Sequence, residues 1–207
     1  MSFNSLDYLW FLPLVFCLYW FVCKPLRWQN LLVVVASYVF YGWWDWRFLV
    51  LIAFTTLCSY TSGQLIEKLK ERGKKHKAYW ISACNIVINL LILGIFKYLG
   101  FFAESFVQLA SLFGWHLDSP TLHILLPIGI SFYTFQALGY TIDVYRGQIK
   151  ACRDIVSFFA YVSFFPQLVA GPIERASNLL PQFSKPRTFD YSLAVDGMRQ
   201  ILWGYVK

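Results

Sequence analysis

The chain has 207 residues, 58% hydrophobic, 20% aromatic and only 14% charged, with a formal net charge of +7. Soluble domains carry about a quarter of their residues as charges, so a soluble fold would lack its polar shell. The basic excess does not indicate nucleic acid: Lys68, Lys70, Arg72, Lys74, Lys75 and Lys77 against Glu67 and Glu71 place +4 in one short loop, without the fold motifs or interleaved aromatics of a nucleic-acid surface.

Residues 1–10 contain Asp7 and no Lys or Arg, which argues against a cleaved secretory signal. The apolar run 8–23 ends at Lys24 and Arg27 and reads as an uncleaved membrane span. A second span, 28–44, closes in an aromatic belt of Tyr38, Phe40, Tyr41, Trp43, Trp44 and Trp46, as expected at a membrane interface. The third and fourth spans, 48–66 and 78–96, are uncharged and long enough, at about 1.5 Å per residue, to cross about 30 Å of hydrocarbon. Ser82, Asn85 and Asn89 fall on one face of the fourth, which directs that face toward other helices. The excess of Lys and Arg on cytoplasmic loops puts residues 67–77 inside, where they can also meet anionic headgroups. The N-terminus, residues 43–47 and Lys97 then lie outside.

Between 98 and 122, Glu104, Gly114, Asp118 and Pro120 interrupt apolar segments too short to span. They read as an interfacial helix and an outer turn, with His116 at headgroup level. A fifth span, 122–143, is followed by Arg146, Lys150 and Arg153. Within it Gly129, Tyr133, Gln136, Tyr140 and Asp143 recur at steps of three and four, which makes one polar stripe on a helix. Such a stripe either bonds to neighbouring helices or lines a hydrated path.

The uncharged run 155–173 is divided by Pro166 and ended by Gly171-Pro172. Broken backbone at membrane depth is tolerated where it is buried in protein or lines a cavity. Ser163, Gln167, Glu174 and Arg175 therefore suggest a kinked or re-entrant element beside a site; the alternative is one span with a proline kink. A last apolar helix, 191–207, carries no stop signal, and the chain is expected to continue beyond it. Cys17, Cys23, Cys58, Cys84 and Cys152 lack metal-ligand spacing and imply neither a disulfide framework nor a metal site. The fold class is all-α, a polytopic transmembrane helical bundle forming one membrane domain or part of one.

Six strings occur in order: YVFYGWW (38–44), GIFKY (94–98), LPIGISFYTFQ (126–136), YTIDVYRG (140–147), FFPQLVAGPIER (164–175) and RQILWGYVK (199–207). Together they resemble the N-terminal half of the membrane-bound O-acyltransferases, in the branch that acetylates exported polysaccharides such as alginate. The resemblance implies a bacterial inner (plasma) membrane enzyme with a polar funnel. An acyl group from a cytoplasmic donor, acetyl-CoA or another acyl thioester, would pass through it toward hydroxyls of the polysaccharide acceptor. It also implies extracytoplasmic acetyl-transfer partner proteins, with the lipid bilayer as surroundings and no covalently bound cofactor. The family's essential histidine lies beyond the equivalent of residue 207, and His76, His116 and His123 lack its context. No catalytic residue is therefore assigned in this chain.

Tyr133, Gln136, Tyr140, Asp143, Gln167, Glu174 and Arg175 are the site-lining candidates. Asp143 and Glu174 are expected to be ionised and paired with Arg146 and Arg175. The competing functions are a transporter, since broken helices and midplane polar groups also occur there, and a non-catalytic scaffold of a cell-envelope polysaccharide system.

Overall fold

The computed structural model describes residues 3, 5–43, 45–112, 129–172 and 174–206. Described residues are helical or loop, with no strand among them. Helix α1, Leu6–Cys17, contains Pro13 and passes into a π-helical turn, Leu18–Val22; Ser5 caps its start by accepting from the Tyr8 N–H. Next come α2, Leu26–Gly42, and α3, Arg47–Glu71. Helix α4 runs unbroken from Lys75 to Leu112.

That length departs from the expected end of the fourth span at 96 and the separate interfacial helix from 98. No proline interrupts this stretch, and a lysine in a helix can lay its stem along apolar surface. Lys97 instead places its ammonium 5.4 Å from the centre of the Tyr98 ring. The expected outer turn, His116, Asp118, Pro120, His123 and Trp44 lie outside the described residues.

Two segments are long and apolar enough to cross a membrane, Arg47–Glu71 and Lys75–Tyr98. Which side chains are buried supports the same environment. Helix α3 buries Thr55, Thr56, Ser59 and Gly63, and α4 buries Ser82, Asn85 and Asn89, while Val50, Phe54, Leu57, Val87, Leu90 and Leu91 face outward. Small and polar groups inside with aliphatic groups outside reverse the soluble pattern, and suit a bundle whose helices pack through small residues in lipid. The chain is a membrane protein on these grounds.

Helix α5, Ile130–Arg146, begins at Gly129, whose φ of 77° only glycine adopts without strain. Its end is a Schellman turn: the Gln148 N–H donates to the Asp143 carbonyl at 2.9 Å and the Gly147 N–H to that of Val144 at 3.0 Å, with Gly147 at φ 79°. Three helices, α3, α4 and α5, pack together around a polar seam. The Asn85 amide donates to Thr141 Oγ1 at 2.8 Å and Ser59 Oγ at 3.3 Å, and Asn89 donates to the Asn85 carbonyl at 2.9 Å.

The segment after α5 is broken, as its prolines suggest. Helix α6, Ile155–Ser163, stops at Phe164 (φ −55°, ψ 102°), and α7, Phe165–Ala170, restarts with Pro166 in its first turn. That position suits proline, whose missing N–H has no partner to lose there. Helix α8, Ala176–Ser184, and α9, Tyr191–Val206, complete the described chain. Asp190 caps α9 by accepting from the Ser192 hydroxyl and the Ser192 and Leu193 N–H groups, and these bonds hold its carboxyl below the ordinary value.

Candidate functional site

The polar stripe of α5 is buried and faces α6 and α7. Three of its members, Tyr140, Gln136 and Gly129, meet partners that follow in order along the chain after α5. At the lower end the Tyr140 hydroxyl accepts the Cys152 N–H at 3.0 Å, and its ring lies 4.5 Å from that of Phe158. One turn up, Gln136 donates its amide to the Tyr161 carbonyl at 2.9 Å, and the Tyr161 hydroxyl returns a bond to the Gln136 carbonyl at 3.4 Å. At the top, a Cβ on Gly129 would lie 3.0 Å from the Leu168 carbonyl oxygen. Helix α5 and the α6–α7 pair are therefore antiparallel over a rise of about 16 Å between Gly129 and Tyr140.

This broken segment returns to where it started. Asn30 of α2, fully buried, donates to Ser157 Oγ at 2.9 Å near the start of α6 and to the Phe183 carbonyl at 2.8 Å at the end of α8. Ser157 Oγ also lies 3.3 Å from the Phe183 carbonyl oxygen. Residues 157–183 thus leave and rejoin one point, and α6, α7 and α8 form a hairpin rather than a span. A rise of about 16 Å is roughly half of the hydrocarbon thickness.

Arg187 closes the base of the hairpin. Its guanidinium donates to Asn30 Oδ1 at 3.0 Å, to the Gln182 carbonyl at 3.1 Å and to the Tyr19 hydroxyl, and it stacks on the rings of Phe183 and Tyr19. On the other side Asp154 caps α6 and accepts the Ser157 hydroxyl at 2.5 Å.

The α5–α6 connection is fastened to α3 by side chains spaced along one helical face. Tyr60 donates to the Arg153 carbonyl at 2.8 Å and Gln64 to that of Cys152 at 3.3 Å. Glu67 accepts the Ala151 N–H at 3.2 Å and pairs with Arg153 at 2.9 Å, while Lys70 donates to the Tyr145 carbonyl at 2.7 Å. Residues 67–77 and 146–153, the two basic connections, therefore share one end of the bundle. Inside this latch, burial pushes the Cys152 thiol up to about 11.

Of the seven candidates, Tyr133, Gln136, Tyr140 and Gln167 are buried, whereas Asp143 and Glu174 are half-buried and Arg175 is exposed. Gln167 donates to the Pro172 carbonyl at 2.7 Å and so closes the turn after α7. Glu174 and Arg175 lie at the start of α8, where the Arg175 carbonyl accepts from Asn178 and Leu179. The expected pairings of Asp143 with Arg146 and of Glu174 with Arg175 do not form. Ion pairs among the described residues join Arg153 to Glu67 and Arg199 to Asp196. Arg146 and Arg175 are both exposed.

The buried hydroxyls of Tyr38, Tyr41, Tyr133 and Thr134 have no hydrogen-bond partner among the described residues. Buried hydroxyls are normally paired, so Tyr133 holds an unused donor where Gln136 and Tyr140 are bonded. The Asn30–Arg187 network was not among the sequence candidates. Its only sequence signal is an amide in the apolar stretch after Arg27; the pairing with residues 157, 183 and 187 is purely tertiary. Among the described residues no cluster of three or more His, Cys, Asp or Glu could hold a metal.

The chain is 41% identical over its whole length to the probable alginate O-acetylase AlgI of Azotobacter vinelandii, and 40% identical to that of Pseudomonas aeruginosa, covering 40% and 39% of those proteins. It is also 31% identical, over 84% of this chain and 36% of the relative, to a peptidoglycan O-acetyltransferase of Helicobacter pylori. It thus spans about two fifths of the length of the curated relatives it matches. Neither a family model nor a solved structure matches.

Proposed function

This chain is a homologue of the alginate O-acetylases, the branch of the membrane-bound O-acyltransferases that its motifs resemble, and we propose that it forms part of a membrane O-acetyltransferase acting on an exported polysaccharide. The observation that carries this reading is similarity extending over the entire chain to proteins named for O-acetylation. The acyl group comes from a cytoplasmic thioester, acetyl-CoA or another carrier, at the end of the bundle that holds the basic loops. It is passed toward acceptor hydroxyls on the opposite side of the bacterial inner membrane, with extracytoplasmic partner proteins completing delivery.

Transfer from a thioester to a hydroxyl needs a base to take the hydroxyl proton, donors for the oxyanion, and a thiolate that leaves with a proton. His76 cannot serve as that base: it sits exposed in the first turn of α4, beside the basic loop, and accepts from the Trp80 indole N–H at 3.1 Å. The described residues supply instead a rigid wall, formed by α5 and the hairpin, and the free Tyr133 and Thr134 hydroxyls as donors. The base belongs to the remainder of the intact protein, and residues 1–207 alone do not turn over.

Deleting the gene of the intact protein in its polysaccharide-producing host and measuring O-acetyl ester tests this reading. Loss of ester, restored by the gene, is expected; unchanged ester content contradicts it.

A further inference from the structure

Beneath the basic loop, the outward side of α3 and α4 holds a cleft of about 260 Å³, lined by Cys58, Thr61 and Ser62 from α3 and by Trp80, Cys84 and Ile88 from α4. Asn85 also borders it, but its amide is spent on Ser59 and Thr141, so the wall is largely apolar. At about 1.5 Å per residue, Trp80 to Ile88 lie about 5 to 16 Å along α4 from Lys77. This is acyl-chain depth when the loop is at headgroup level. Tyr79 and Trp80, each about half exposed, mark the level between, where such rings collect in a bilayer. The Trp80 indole bonds to His76 one turn toward the loop, and this fixes the ring at the mouth of the cleft.

The charge above the cleft is available. Lys74, Lys75 and Lys77 are exposed, and none is in an ion pair among the described residues. Lys70, by contrast, is bound to the Tyr145 carbonyl, and Glu67 to Arg153. A neutral lipid gains nothing from the lysines, and a soluble anion gains nothing from the apolar cleft. A molecule with a negative headgroup and an attached hydrocarbon chain satisfies both.

We propose that the α3–α4 cleft is a binding site for an anionic phospholipid, with an acyl chain between Cys58 and Ile88 and the phosphate against Lys74, Lys75 and Lys77. The proposal rests on the membrane placement of the chain and not on its acyl-transfer chemistry, so it stands or falls separately from that reading. Basic residues near a membrane surface contribute about 1 kcal/mol each toward anionic lipid, or about fivefold in affinity per residue.

The test uses the intact protein in vesicles containing phosphatidylglycerol or phosphatidylcholine with brominated chains. Quenching of Trp80 is taken as the difference between wild type and W80F. The expected result is half-maximal quenching at a mole fraction of brominated phosphatidylglycerol at least about fivefold lower than for phosphatidylcholine. That preference should disappear in K74Q/K75Q/K77Q, whose exposed substitutions leave the helices intact. Native mass spectrometry of the purified protein should show phosphatidylglycerol retained by wild type and lost from the triple variant. Equal quenching by both lipids overturns the anionic site. Absence of quenching by either means that protein helices cover the cleft, and overturns it as well.

Discussion

The Asn30 side chain donates to the Phe183 carbonyl at 2.8 Å across 153 residues of sequence. With the second bond to Ser157 and the accepted bond from Arg187, this one amide holds both ends of the α6–α8 hairpin. Removing it leaves buried polar groups without a partner. Asn30→Ala should therefore cost about 2–4 kcal/mol. Unfolding in detergent should show that loss, together with faster proteolysis between residues 171 and 190. Asn30→Asp keeps the acceptor for Arg187 and loses both donors, so it should fall in between. Wild-type stability of Asn30→Ala would mean that the hairpin is held elsewhere.

Close packing of α3 on α5 makes a second test. A Cβ at Gly63 would stand 2.6 Å from the Tyr140 hydroxyl and 2.7 Å from its ring. The ring cannot retreat, because it lies against Phe158 and accepts from Cys152. Gly63→Ala should destabilise by about 1–3 kcal/mol. Gly139→Ala, on α5 itself, meets nothing within 4 Å and should be neutral or stabilising through helix propensity. Equal melting temperatures for the two variants would contradict the packing.

The thiol of Cys152 offers a pH test. Burial raises it from the ordinary 9.0 to about 11 in the folded chain. Because the folded value is the higher one, its contribution to stability is complete below about pH 9 and is lost as pH rises through about 11. Between those values the native thiol stays neutral while an unfolded one ionises. Alkylation of Cys152 by iodoacetamide near pH 10 should be at least about tenfold slower in the native protein than after denaturation. Equal rates would show the latch to be open.

Sidedness follows from the α3 latch. Because Tyr60, Gln64, Glu67 and Lys70 all reach residues 145–153, single cysteines at positions 75 and 148 should react from the same face of a sealed vesicle. In cells that face should be the cytoplasmic one. Labelling from opposite faces would break the topology.

The sequence made parts of this arrangement readable for definite reasons. The 3–4 spacing of Tyr133, Gln136 and Tyr140 places them on one face whatever the neighbours are, and Pro166, with no N–H to donate, favours the first turn of a new helix over the interior of a continuing one. Shared placement of the basic loops follows from charge distribution alone. Three features were hidden. Whether 155–173 was a kinked span or a hairpin depended on Asn30 meeting both Ser157 and Phe183, and no local pattern encodes such contacts. Arg187, flanked by Lys185 and Pro186, looks like an ordinary solvated charge until Tyr19 and Asn30 are brought to it. Lys97 resembled a span boundary because charge is costly at depth, whereas the helix carries it through to Leu112.

On the proposed reading, these residues form the wall of an acyl-transfer site and the base lies elsewhere in the intact protein. The most direct measurement of that reading is O-acetyl ester in exopolysaccharide from a host lacking its own acetylase, complemented either with the intact gene or with residues 1–207 alone. Ester should return with the intact gene and remain at background with residues 1–207, at equal membrane abundance. Ester formed by residues 1–207 alone would contradict it.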